Sequence, residues 1–476
     1  MTGRQWWMSV GLAALAGACA TQTKLPDPPP VFAAAEQAGG AAAVADEAAI
    51  EAEWIDTLGA PELTGYVREA VGANPFLRAA RERARAARNR AQGAAGAWLP
   101  DLNLSFFTSR TETPIAGGDD RARADLTTSE LSTTWEADVW GRVLDRTRAQ
   151  FADSRAANAD FAGARLSIAG QTSRAWIDLV QFRQLLALAQ EDLAQRERAL
   201  EITDRRYASG LANALAVRTA RSQVASARAQ EASSNDSLLQ ASRRLQTLLA
   251  RYPDATLRTE ADLAPLPPLT AAGAPADLLA RRPDVAAAEA RLDAAGLRAS
   301  EARKAILPRL TLSASARGSG DGLRDVTDVD SLVTQVLAGL ALPLFNGGAL
   351  RAEARASNAD ARVAAANYVE TAIAAWAEVE NALSADAAFA VREAELAKAA
   401  EEAREAQLLA ERQYASGLVT IFELIDAYTR RIDAERGLIQ TRAQRAANRV
   451  NYHVALGGGA TTGGLAADDT TREKDR

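Results

Sequence analysis

The sequence predicts a mainly α-helical chain, a tandem duplication of long coiled-coil hairpins, that also contributes four β-strands to a membrane β-barrel. Three observations predict it. Landmarks recur with a period near 207 residues: RRYASGL from Arg205 returns as RQYASGL from Arg412, WLPDLNLSF as ILPRLTLSA, and DVWGRVLDR from Asp138 as PLFNGGALR from Pro343. None of the 16 prolines lies between Pro114 and Pro253 or beyond Pro343, which leaves one long uninterrupted helical window per repeat. After Pro100 and again after Pro308, apolar residues alternate with polar ones, the period of a strand with one apolar face.

Composition narrows the function. With 48% hydrophobic and 24% charged residues over 476 positions, the chain is that of a folded protein. Aromatics are only 5% and alanine dominates, which favours long, closely packed helices. One cysteine and one histidine, His453, exclude a disulfide framework, thiolate metal sites, His-rich zinc sites and most triad chemistry. With no Gly-rich phosphate loop either, neither an enzyme nor a cofactor or metal is expected. The net charge of −6 offers no broad basic surface, so nucleic acid is not expected as a partner.

In chain order, residues 1–18 read as a secretory signal: Arg4, a short apolar run from Trp6 to Leu15, then small residues. The run is too short to span a bilayer. Cys19 directly follows Ala16-Gly17-Ala18, which resembles a bacterial lipobox with alanine in place of the leading leucine; an ordinary signal-peptidase site is the alternative. Residues 19–53 form a Pro/Gly/Ala-rich tether, lipidated if Cys19 is the mature N-terminus. The first repeat covers 54–250, with a helix from Pro75, a hairpin of strands at about 100–140 in which the polar loop PIAGGDDRARAD leads to a second strand at about 129–140, and a coiled-coil hairpin whose tip lies near 207–213. Residues 251–282 link it to the second repeat, 283–459, with strands at about 308–344 and a tip near 414–420. Residues 460–476 form a flexible tail.

Lengths support this division. A helix of about 60 residues reaches about 90 Å, whereas a returning helix of about 38 residues reaches only about 57 Å. The short proline-bounded helices at 75–97 and 283–305 fill the gap if they stack on the returning ones. Four strands cannot close a barrel, since known barrels begin at eight, and open edges are forbidden in lipid. The barrel must be shared; two chains give about eight strands and three about twelve, and the arithmetic does not choose.

WIDTLGAPEL from Trp54, RRPDVAAAEARL from Arg281, LFNGGALRAEARA from Leu344, the two YASGL turns and NRVNYHVALGGG from Asn448 resemble the TolC/OprM-type outer membrane factors, specifically the NodT-like lipoprotein branch. The resemblance implies a homotrimer with a 12-stranded barrel in the outer membrane and an α-helical barrel in the periplasm. It further implies the exit duct of a tripartite efflux or secretion system, with a periplasmic adaptor and an inner-membrane transporter as partners. A lipid-anchored coiled-coil tether without a lumen is the rival reading; its weakness is that a tether needs no barrel strands.

Cys19 is the lipidation site. Gly210 and Gly417 supply left-handed helix ends, with Leu211 and Leu418 as capping contacts and, with Tyr207, as apolar anchors for the adaptor, roles that can hold at once. Glu423 and Asp426, three residues apart on one helical face, become rings of carboxylates under three-fold symmetry if that face looks inward. Glu423 has a competing role, because Thr420-x-x-Glu423 is a capping box. Tyr414 resembles the family's tip tyrosine that braces the closed state. Ala216 stands where the first repeat commonly carries an acid, and His453 reads as a helix-face residue.

Overall fold

The computed structural model describes residues 54–55, 60–114, 121–263, 266, 269, 280–320, 326 and 332–458. Cys19, the tether and the tail from 460 lie outside these residues. The elements are α1 (Pro61–Ala73), α2 (Pro75–Ala95), β1 (Asp101–Pro114), β2 (Arg121–Ala137), α3 (Arg142–Ala208) and α4 (Ala214–Leu248). They are followed by α5 (Pro283–Lys304), β3 (Arg309–Gly320), β4 (Val333–Ala341), α6 (Ala349–Ser416) and α7 (Ile421–Ala455).

The two proline-free windows become α3 and α6, of 67 and 68 residues, each near 100 Å at 1.5 Å per residue. Each is matched by a short helix plus a returning helix of 35 residues: α2 with α4, and α5 with α7. The junctions are built by repeat-mate contacts. Asn74, which caps α2 by accepting from Phe76 N at 2.9 Å, also donates Nδ2 to Leu248 O at 3.0 Å at the end of α4. At the mate position Arg282 donates Nη1 to Ala455 O at 2.9 Å at the end of α7, and its guanidinium also pairs with Asp284 and Glu378 at 2.7 Å. Buried carbonyls at the helix ends are thereby satisfied.

Helix α1 packs Leu63, Val67 and Ala70 with Trp54 and Ile55 against Trp176, Ile177, Leu179 and Leu245, forming the largest apolar cluster among the described residues. Glu62 fixes the contact by accepting from Trp176 Nε1 at 2.7 Å. His453 lies against this cluster, stacked on Trp54 at 5.6 Å between centroids.

The strands form one antiparallel sheet in the order β1-β2-β3-β4, so β1 and β4 are its two edges. The registers place Leu102, Leu104, Leu131, Trp135, Leu312 and Val336 on one face, and Asn103, Ser105, Glu130, Ser132, Ser313 and Arg317 on the other. A salt bridge of 2.7 Å joins Arg317 to Glu130 on the polar face. An apolar face backed by a mainly polar one is the alternation of a barrel wall. At the helix end of the sheet, Trp135 donates to Trp98 O at 3.0 Å and Trp140 to Pro308 O at 2.7 Å, the place where membrane proteins set their interfacial aromatics. No described helix is long and apolar enough to cross a membrane.

Two expectations are corrected. Strand β2 begins at Arg121, so RARAD belongs to the strand and not to the loop; cross-strand partners absorb its charges, with Arg123 on Glu112 at 3.0 Å and Asp125 on Arg110 at 2.7 Å. It also ends at Ala137, before Trp140, and β4 ends at Ala341, before Pro343, because the glycine-rich turns into α3 and α6 begin there.

Candidate functional site at the helical tip

Both hairpins turn at the end farthest from the sheet. Each long helix ends in the same motif: Leu211 N bonds Arg206 O at 2.8 Å and Gly210 N bonds Tyr207 O at 3.0 Å, while Leu418 N bonds Gln413 O at 2.8 Å and Gly417 N bonds Tyr414 O at 3.1 Å. Gly210 and Gly417 hold φ of 73° and 83°, which glycine adopts without a Cβ penalty. At Gly417 the demand is conformational and not spatial, since a Cβ would meet only the flexible end of Arg206 at 3.4 Å. Leu211 and Leu418 are 71% and 77% exposed, and backbone bonds close the motif. Leu215 and Phe422, themselves repeat mates, are exposed beside them, so each hairpin end presents a pair of apolar side chains at equivalent positions.

The two hairpins are fastened to each other at Tyr414. Its ring is buried in a cluster with Ala199, Ile421, Leu424 and Tyr428. Thr203 Oγ1 donates its single proton to Ala199 O at 2.7 Å, so it accepts from Tyr414 OH, also at 2.7 Å. The Arg206 guanidinium lies 4.9 Å from the ring centroid, and its Nη1 donates to Tyr414 O. Tyr207, the repeat mate of Tyr414, is half-exposed. Above this clasp, Arg431, 2% exposed in its side chain, bonds Glu191 at 3.0 Å, Gln195 at 3.0 Å and Glu435 at 2.8 Å, tying α7 to α3. Burial and the neighbouring Glu411 push the Tyr428 hydroxyl well above its ordinary value, keeping it neutral.

The two acids of α7 differ. Glu423 closes the capping box: it accepts from Thr420 N at 2.6 Å and Thr420 Oγ1 at 2.9 Å, while Thr420 Oγ1 accepts from Glu423 N. The backbone bond from Thr420, then its hydroxyl, lowers the Glu423 carboxyl below its usual range. Asp426 is exposed on the side of α7 opposite Ile421, Leu424 and Tyr428, and Arg430 pairs with it at 2.7 Å. Any ring formed by this face carries alternating charge. In the first repeat, Asn213 caps α4 through Ala216 N at 2.9 Å, and Ala216 itself packs against the Tyr414 cluster.

Sequence reading missed Thr203, Arg206 and Arg431. The signal for one of them was present: the first turn reads RRY where the second reads RQY, so Arg206 is the departure from the repeat. Among the described residues, no group of three His, Cys, Asp or Glu side chains is placed to hold a metal. His453 is held below its ordinary value, at about 4, by burial and then by Arg449.

Comparison with known proteins supplies the remaining finding. The family model for outer membrane efflux proteins matches the chain twice, over 66–251 and 274–458, once in each repeat. The pyoverdine export outer membrane protein OpmQ of Pseudomonas putida is 30% identical over 468 residues, covering 96% of each chain. Nodulation protein T of Rhizobium leguminosarum bv. viciae is 27% identical over 432 residues, 88% of this chain and 86% of that one. The outer-membrane channel OprN superposes with a TM-score of 0.77 at 27% identity, over 87% of this chain and 94% of that one. A membrane protein of Pseudomonas aeruginosa gives 0.79 at 30%, over 85% and 95%.

Proposed function

The chain belongs to the outer membrane efflux protein family, of the TolC/OprM type, and is an outer-membrane protein with a periplasmic helical part; on that premise we propose that three copies form the exit duct of a tripartite efflux or secretion system. The single observation that carries this reading is the pair of open edges. Among the described residues β1 and β4 each lack a second neighbour, and a lipid-embedded edge is not tolerated, so a ring of copies would join β4 to the next β1. Three copies give 12 strands, and the 100 Å helices prolong the wall below the membrane.

At the far end, the exposed Leu211 and Leu215 of one hairpin and Leu418 and Phe422 of the other form an apolar rim for a periplasmic adaptor. The clasp of Tyr414 on Thr203 and Arg206 holds the two hairpins side by side and narrows the mouth, with Asp426 and Arg430 on the face available to the lumen. Cys19, acylated, anchors the mature N-terminus in the same membrane. The duct performs no chemistry; the transporter it serves selects the cargo.

Planar-bilayer recording of the purified full-length protein tests the reading. Discrete conductance steps are expected, and a protein that inserts without conducting is the tether instead.

A further inference from the structure

The chain is a row of elements with two unlike edges. Helix α3 packs on α2 and α4 on one side and on α5 and α7 on the other, while α6 closes the far side against α5 and α7. One edge is therefore β1, α2 and α4, and the other is β4 and α6. The in-chain junction between the repeats, α3 against α5, is held by an ion-pair ladder. Arg155 meets Asp293 at 2.9 Å, Arg291 meets Asp160 at 2.5 Å, and Arg298 pairs with Asp153.

The duplication maps that ladder onto the open edges. Pro75 and Pro283 are offset by 208 and Arg205 and Arg412 by 207, so each α5 residue has a mate in α2 and each α3 residue a mate in α6. The pair Arg298 and Asp153 becomes Arg90 and Asp360. Arg291 and Asp160 become Arg83 and Asn367, a charged donor on an amide carbonyl. Asp293 and Arg155 become Arg85 and Arg362, and here Glu82, already 2.9 Å from Arg85, supplies the carboxylate that Asp293 supplies in the chain. Arg83, Arg85, Arg90, Asp360, Arg362 and Asn367 are all exposed. Helix α2 carries six arginines against one glutamate, whereas its mate α5 is balanced; Arg81 turns back over Phe161 of α3, and Arg83, Arg85 and Arg90 make the open side a positive stripe.

We propose that the arginine face of α2 docks on the upper part of α6 of a second copy, with Arg90 paired to Asp360 of that copy, so that each seam between chains repeats the ladder between α5 and α3. The assignment rests on the ring-forming reading above. The interface is heterologous, edge against unlike edge, the type that closes into a ring. It sits just below the sheet, where it sets the lateral register in which β4 of one copy meets β1 of the next.

The test is a charge swap in the full-length protein in detergent. Arg90→Asp and Asp360→Arg should each raise the dissociation concentration of the oligomer by roughly tenfold, because like charges then face each other, and the double variant should restore it. A second arm places Cys at 90 and 360 in a Cys19→Ser background. A short bismaleimide should then join chains, whereas Cys at 153 and 298 should be joined only within one chain. If the wild type is monomeric, the ring itself fails. If it is oligomeric but neither swap rescue nor inter-chain cross-linking occurs, this seam is wrong while the duct stands. If Arg83, Arg85 and Arg90 changed to Glu lower co-purifying anionic phospholipid and leave the oligomer intact, the stripe binds lipid phosphate and the proposal is overturned.

Discussion

On the proposed duct, opening the mouth would part the two hairpins of each chain, and the clasp at Tyr414 would set the cost. Tyr414→Phe removes the hydroxyl that Thr203 accepts while leaving Thr203 bonded to Ala199 O, so no buried donor is orphaned. The loss is that of one ordinary hydrogen bond, about 1 kcal/mol per chain. If the three clasps release together, the closed state loses about 3 kcal/mol, on the order of a hundredfold in the ratio of open to closed ducts. Arg206→Ala removes both the carbonyl bond and the cation-π contact and should do at least as much. Tyr207→Phe is the internal control, because the repeat mate is half-exposed and makes no such clasp. The assay is leak conductance of single ducts in a planar bilayer, with thermal melting to confirm folding. An unchanged open fraction in the Tyr414→Phe, Arg206→Ala double variant would refute the clasp as the element that holds the mouth.

Other outcomes follow from the same geometry. Asp426→Ala should relieve block by divalent cations added on the periplasmic side, and Arg430→Ala should strengthen it by freeing the carboxylate; block indifferent to both would place this face outside the lumen. Thr420→Ala should lower stability by about 1 kcal/mol through loss of the cap, seen as a lower melting temperature with conductance unchanged. His453 is buried neutral, so its contribution is complete above its ordinary value of 6.5 and is lost as pH falls toward about 4, roughly 1–3 kcal/mol per chain. Melting curves across that window should flatten in His453→Phe. Mass spectrometry of membrane-extracted protein should find an acylated Cys19 at the N-terminus, and Cys19→Ser should impair sorting more than folding.

What sequence reveals here is what repeats or what is local. The YASGL turns announced their left-handed glycines because a helix end is a local event, and the absence of proline announced α3 and α6. The capping box of Thr420 and Glu423 was legible for the same reason, and the structure adds that both carboxylate bonds of Glu423 run to Thr420. Strand β2 was misjudged at its start because Arg121, Arg123 and Asp125 look like a loop until their partners on β1 are known. The clasp was invisible in its details: Thr203 and Tyr414 are 211 positions apart, and no periodicity brings them together. Arg431 was missed because a buried arginine is tolerated only when acceptors converge on it from another helix, and Glu191 and Gln195 lie about 240 positions away. The duplication predicts kind, and the departures from it, Arg206 against Gln413 and Arg431 against Val224, mark where the two repeats meet.

In the proposed assembly the unlike edges of the chain close on copies of themselves around a lumen. Single-particle imaging of the full-length protein in detergent or nanodiscs tests it directly by counting copies in end view. Three copies around an open centre are predicted, with β4 of each paired to β1 of the next and α2 seated on α6. Single chains, or pairs with β1 or β4 left bare, would contradict it.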